Sequence, residues 1–257
     1  MVPSHFNDVT LLVTHYNRSS SLERLLRSFE QINCSFGDIV VSDDGSKPEH
    51  ILVVKALAEE LGFRLVTTQA NAGLGNNINK GQDAVNTPYT LYVQEDFEPA
   101  ADFVNHFSDA LNLLEERKDI DIARFYAYSK YPYLLPLKNG FSEMLFGFFK
   151  PGYKKFYAYS DHPHLRRRNF FERFGRYTEG VKGDVTEYRM MLSFLQHKGK
   201  AIFYDDYNAL FEQKNSSAEP STMKRNFWRE NNNYLVWFMR ESYRYAKFNF
   251  DYLFRRF

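Results

Sequence analysis

The feature that most constrains the fold is a change of hydrophobic rhythm, repeated through the first hundred residues. Val9–Thr14 (VTLLVT) is a continuous apolar run, as expected of a strand covered on both faces. Ser19–Ser21 can open a helix that runs through Gln31, with Leu22, Leu25, Leu26 and Phe29 on one side. Asp38–Ser42 is a second short apolar run, followed by the turn Asp43-Asp44-Gly45-Ser46. Lys47–Leu61 reads as a helix closed by Gly62. Arg64–Thr67 reads as a third strand, Gly75–Val85 as a helix and Tyr89–Val93 as a fourth strand. The order β-α-β-α-β-α-β predicts an α/β fold with a mostly parallel sheet flanked by helices.

In such sheets ligands bind beyond the carboxyl ends of the strands. The polar clusters of this chain fall there: Thr14–Arg18, Asp43–Ser46, Gln69–Gly75 and Gln94–Glu98. Asp43 and Asp44 offer carboxylates to an imide N–H or a ribose hydroxyl, although Asp-Gly is also an ordinary turn sequence. Asn71 and Gly73 precede a helix whose backbone N–H groups can approach phosphate. Gln94, Glu95 and Asp96 form a polar cluster where a divalent cation could bridge a diphosphate, since Mg²⁺ and Mn²⁺ take oxygen ligands. A dinucleotide fingerprint is excluded because Ile78 stands where its third glycine belongs, and no P-loop sequence occurs.

Four segments together resemble family 2 glycosyltransferases of the GT-A, Rossmann-like fold: TLLVTHYNR, VVSDDGS, NAGLGNNINKG and LYVQED. The resemblance implies that Thr14 and Tyr16 line the base pocket, beside Asn17. It also implies that Asp43 or Asp44 binds uracil or ribose, and that Asp96 ligates Mn²⁺ or Mg²⁺. Gln94 stands where the family's acidic motif has its first acid, and Ile78 where the helix often carries a basic residue. An inverting transferase also needs a carboxylate to accept the acceptor hydroxyl's proton. The family's usual Glu-Asp pair is missing from Lys182–Lys200, which leaves Glu187 and Asp184 as candidates, with Glu187 first. Asp184 also suits an ordinary helix cap. The resemblance implies a UDP-sugar donor and a glycan or lipid-linked acceptor in surface polysaccharide assembly. A degenerate relative that binds without turnover is the alternative.

Beyond the first hundred residues, Asp102–Arg117 reads as helix and Ile120–Phe125 as strand. Asn169–Phe174 and Asp184–His197 read as helices, Lys200–Tyr204 as a strand and Gln213–Thr222 as a polar loop. Residues 126–160 hold 12 aromatics, five lysines and one acid, and are expected to be irregular structure over the crevice. Arg166–Arg168 reads as a solvated basic run, with phosphate binding as the sharper alternative. Residues 224–257, with eight Lys or Arg and twelve aromatics, read as a helical tail. Its Trp228, Leu235, Met239 and Ala246 would share one face. That face can pack on the domain, pair with a second copy or lie on an anionic membrane. The expected division is a nucleotide-sugar half over 1–125, an acceptor half over 126–223 and the tail over 224–257.

Lys+Arg (33) and Asp+Glu (32) nearly cancel, so charge gives no argument for nucleic acid. The single cysteine, Cys34, excludes an intramolecular disulfide and is expected to be buried and inert. No leader pattern and no apolar run near the ~18 residues of a spanning helix are present, so a cytoplasmic protein is expected, with peripheral contact at the inner face of the cell membrane the open question.

Overall fold

Leu11 and Val13 face one side of the first strand and Leu12 the other, and all three are fully buried. That alternation builds a core on each face of a central sheet. The computed structural model describes residues 4–215, 219 and 234–257.

The first half follows the expected order. Strands β1 (Ser4–His15), β2 (Cys34–Asp43), β3 (Arg64–Thr67) and β4 (Tyr89–Gln94) alternate with helices α1 (Ser19–Gln31), α2 (Pro48–Leu61) and α3 (Leu74–Asp83). Gly62 closes α2 in a left-handed conformation, as its position suggested. A short strand β5 (Phe97–Pro99), helix α4 (Phe103–Glu116) and strand β6 (Ile122–Arg124) complete this part. Strands β7 (Leu134–Pro136) and β8 (Phe141–Met144), a single 3-10 turn (Tyr153–Phe156) and strand β9 (His164–Arg167) follow. Then come helices α5 (Phe170–Phe174) and α6 (Gly183–Gln196), strands β10 (Ala201–Tyr204) and β11 (Phe211–Gln213), and helix α7 (Tyr234–Phe254).

Nine strands form one sheet in the order β3-β2-β1-β4-β9-β6-β10-β8-β7. Only β9 and β8 run against the others, so the sheet is mostly parallel. Helices α1, α2 and α4 bury their apolar faces on one side, with Phe103 and Phe107 at its centre. Helices α3, α5, α6 and α7 cover the other. Each fully buried Leu, Val or Phe contributes roughly 1.5–3 kcal/mol. Cys34 sits in β2, where burial pushes its thiol up to about 12.

Two expectations are corrected. The run Arg166–Arg168 is solvated only at its end, where Arg168 is exposed. His164–Arg167 is the inserted strand β9, hydrogen-bonded to β4 and β6, and Arg166 is completely buried. Its guanidinium donates to Gln82 Oε1 and the Tyr177 hydroxyl, both at 3.0 Å, and lies over the rings of Tyr92 and Phe170. Residues 126–160 are also more regular than expected, because β7 and β8 extend the sheet. Of the uses left open for the tail's face, packing on the domain is not the one taken by its described members: Met239 and Ala246 are exposed, whereas Phe248 and Asp251 are buried. Trp228 and the side chain of Leu235 lie outside the described residues. Among the described residues no helix is long and apolar enough to cross a membrane.

Candidate active site

The parallel strands β1, β2 and β4 end at His15, Asp43 and Gln94, and the loops that follow them meet at one edge of the sheet. Two hydrogen bonds to the His15 carbonyl hold the first junctions, from the Asp44 backbone (3.0 Å) and Asn77 Nδ2 (3.3 Å). Gly45 adopts φ 66°, and a Cβ there would come within 2.4 Å of the Ala70 backbone. The turn therefore requires glycine both for its conformation and for its contact.

The two aspartates have separate internal duties. Asp43 is fully buried and accepts hydrogen bonds from His15 Nδ1 (2.8 Å), the Ser46 backbone (3.0 Å), the Ser46 hydroxyl and the Thr67 hydroxyl (2.8 Å). Burial alone would raise its pKa, but the bonds from His15 and Ser46 outweigh burial and hold it below the usual range. Asp44 accepts from Asn71 Nδ2 (2.8 Å) and from the backbones of Ala72 (2.8 Å) and Gly73 (3.0 Å). Burial still outweighs those bonds and raises its pKa. Asp44 thus fixes the Asn71–Gly73 loop at the mouth of α3. Thr14 is buried against the Tyr92 hydroxyl (3.1 Å), while Tyr16 is half-buried. Asn17 has φ 53°, accepts from the Lys47 backbone at 2.8 Å and donates its own N–H to the Ser46 hydroxyl.

At the end of β4, Asp96 is buried and Gln94 and Glu95 are half-buried. The Arg18 guanidinium lies between the acids, 3.5 Å from Glu95 Oε1 and 3.4 Å from Asp96 Oδ2. It is held from behind by Asn215 Oδ1 (3.0 Å) and the Glu219 carbonyl (3.2 Å). The Glu219 carboxylate receives the Ser20 and Ser21 backbone N–H groups, so α1 is capped from a distant segment rather than by its own serines. Burial first, and then the Asp96 charge, pushes Glu95 up to about 7. Asp96 Oδ1 is buried and accepts no hydrogen bond, whereas Oδ2 accepts from Gln213 Nε2 at 2.9 Å.

Gln213 also joins this cluster to the second half. Its Oε1 accepts from the Tyr128 hydroxyl at 2.7 Å, and Tyr128 lines a cavity of about 740 Å³. Both candidate bases, Asp184 and Glu187, line the same cavity. Glu187 Oε1 accepts the Asp161 backbone N–H at 3.2 Å. Asp161 is buried behind it, with Oδ1 receiving the Tyr159 hydroxyl at 2.9 Å and Oδ2 unpartnered. Burial, and then the Glu187 charge, pushes Asp161 up to about 8. Burial also raises Glu187. His162 packs edge-on against Tyr126 and Tyr128, and burial followed by the Arg124 charge lowers it to about 3.

Several residues here were not singled out from sequence. Arg18 ended a recognised run but carried no expected role. Lys80, two residues beyond Ile78, supplies a cation to this edge and donates to the Asp43 carbonyl. Gln213, Arg124 and Asp161 gave no sequence signal, since their neighbours in space are far away along the chain.

Residues 10–198 match the description glycosyl transferase family 2. No curated protein matches the chain by sequence. In structure the chain is similar to TarS 1–349 of S. aureus in complex with UDP-GlcNAc, with a TM-score of 0.61 at 15% identity, covering 86% of this chain and 64% of that one. It is also similar to the mannosyltransferase PcManGT from Pyrobaculum calidifontis in complex with GDP-Man and Mn²⁺, with a TM-score of 0.56 at 15% identity, covering 85% and 61%. The chain thus spans a little under two thirds of each of these structures, and the likeness is one of fold, the GT-A fold. With well over half its length matched, the chain belongs to glycosyl transferase family 2.

Proposed function

We propose that the chain is an inverting glycosyltransferase that moves a sugar from a nucleotide diphosphate sugar, with a UDP-sugar preferred, to a glycan or lipid-linked glycan. The bridge Asp96–Gln213–Tyr128 carries this reading, because it sets an acidic donor edge against a cavity lined by Glu187. Residues 1–125 form the donor half and 126–223 the acceptor half, and helix α7 of the tail, 224–257, closes the acceptor side. Tyr16 and Thr14 flank the base, and Asp43 and Asp44 shape the pocket for uracil and ribose. Asn17, Asn71, Gly73, Gln94 and Glu95 complete the donor contacts.

Asp96 suits Mn²⁺ or Mg²⁺: Oδ1 is a buried, unpartnered hard oxygen beside a second acid. Among the described residues no group of three or more His, Cys, Asp or Glu could hold a metal. Substrate phosphate oxygens would therefore complete the shell. When bound, such a cation stabilises charge on the departing diphosphate. Arg18 already shares both carboxylates and supplies positive charge at the same place.

Glu187 takes the proton of the acceptor hydroxyl as its oxygen bonds to the anomeric carbon and the bond from that carbon to the diphosphate breaks. Asp184, exposed at the first turn of α6, is the second candidate base. The reading is tested by measuring label transfer and donor hydrolysis from UDP-sugars, for the wild type and Glu187→Gln. The expected result is turnover that falls about 10²–10⁴-fold in the variant, with donor binding retained. Turnover unchanged by the substitution would remove Glu187 from the role. Binding without turnover in the wild type would favour the degenerate reading, to which Gln94 and the missing Glu-Asp pair point.

A further inference from the structure

The cavity beside Glu187 carries more positive charge than the transfer of a proton from a sugar hydroxyl requires. Among the described residues six cationic side chains line it, Arg124, Lys130, Lys154, Arg240, Arg244 and Lys247, against two carboxylates, Asp184 and Glu187. They come from four separate places: the end of β6, the loop after it, the 3-10 turn and α7. A charge run along one solvated helix face cannot explain such convergence.

The cations differ in how far they are already engaged. Lys247 pairs with Asp251 at 2.5 Å, and Arg244 donates to the Tyr153 hydroxyl at 3.0 Å. Arg124 forms the floor. It is 3% exposed, donates to the Tyr157 and Tyr126 carbonyls, and its Nε has no partner. Lys130 and Lys154 stand exposed, and neither makes an ion pair with a described residue. Asp251 answers Lys247 and the Glu187 charge acts on Arg124, but a neutral glycan would leave Lys130 and Lys154 unanswered, and a single carboxylate would match only one of them. A phosphate brings about two negative charges and several acceptor oxygens, which suits ammonium and guanidinium groups approaching from several sides.

Resting on the transferase reading, we propose that the acceptor bound in this cavity carries a phosphate group. Lys130 and Lys154 hold the phosphate at the mouth and Arg124 draws it inward, so that a neighbouring hydroxyl reaches Glu187. The aromatic lining, including Tyr131, Tyr157 and Tyr188, offers faces to the attached sugar or chain.

Calorimetric titration of four probes tests this: glucose 1-phosphate against methyl glucoside, and farnesyl phosphate against farnesol. Each is titrated into the wild type and into Lys130→Gln/Lys154→Gln, whose unchanged melting curve establishes that it folds. The expected result is that each phosphorylated probe binds the wild type at least tenfold more tightly than its neutral partner. That preference is expected to be lost in the double variant. A tighter farnesyl phosphate supports a lipid-borne phosphate, and a tighter glucose 1-phosphate a sugar-borne one. Equal binding of phosphorylated and neutral probes would overturn the proposal, as would a preference untouched in the double variant. A chain that binds nucleotide yet does not discriminate the probes loses only this inference. One that prefers the phosphorylated probes yet binds no nucleotide loses only the transferase reading.

Discussion

Arg18 and Asp161 carry the consequences that belong to single residues. Arg18 sits where a divalent cation would share Asp96 and Glu95, so the two compete for the same oxygens. Arg18→Ala is expected to bind Mn²⁺ about tenfold more tightly in the absence of nucleotide, as removal of a cation within 4 Å would allow, with titration calorimetry as the readout. Unchanged affinity would mean that the guanidinium does not compete. Asp161 has the opposite problem, being buried beside Glu187 and holding its proton to about 8. The unfolded carboxyl loses that proton near 4. The folded state therefore binds more protons between those values, and stability falls as pH rises across that window. Asp161→Asn is expected to flatten the decline in melting temperature between about pH 4 and 8. A decline as steep as in the wild type would contradict the assignment. The acids at strand ends were legible because strand and turn signals located them. Asp161 was not, because only folding sets it against Glu187, 26 positions away along the chain.

Whether an element could be read depended on how its charge is housed. β3, β4 and helices α1 to α3 appear within two residues of the expected bounds, since apolar runs and terminal glycine signals agree with the final packing, whereas β1 and β2 begin five and four residues earlier than their apolar runs. β9 was hidden because three consecutive arginines look solvated, and nothing local shows that Gln82, Tyr177 and a shell of rings receive Arg166. β7 and β8 were hidden because they are three and four residues long, too short to display a strand's alternation. Helix α7 is the element whose surface remains to be explained. Phe248 packs on the core, while Phe250 and Phe254, one turn apart with ring centroids 4.9 Å from each other, are 56% and 71% exposed. We propose that this outer face touches the inner surface of an anionic membrane. Wild-type protein is then expected to sediment with phosphatidylglycerol vesicles, and Phe250→Ser/Phe254→Ser to remain largely in solution. Equal sedimentation of the two would rule out this use of the face.

At the scale of the whole molecule, the donor edge and the cavity belong to one continuous sheet, joined at the surface through Gln213. The sequence pointed to the donor edge because its motifs follow four strands in order. The cavity was not legible, because residues from β6 through α7 line it and no local pattern brings them together. The edge is proposed to bind a nucleotide diphosphate through Asp96 and a cation. Calorimetric titration of UDP and then GDP, each with and without Mn²⁺, tests it most directly, in the wild type and in Asp96→Ala. The expected result is Mn²⁺-dependent binding, tighter for UDP than for GDP and lost in the variant. No binding of either nucleotide under any of these conditions would contradict it.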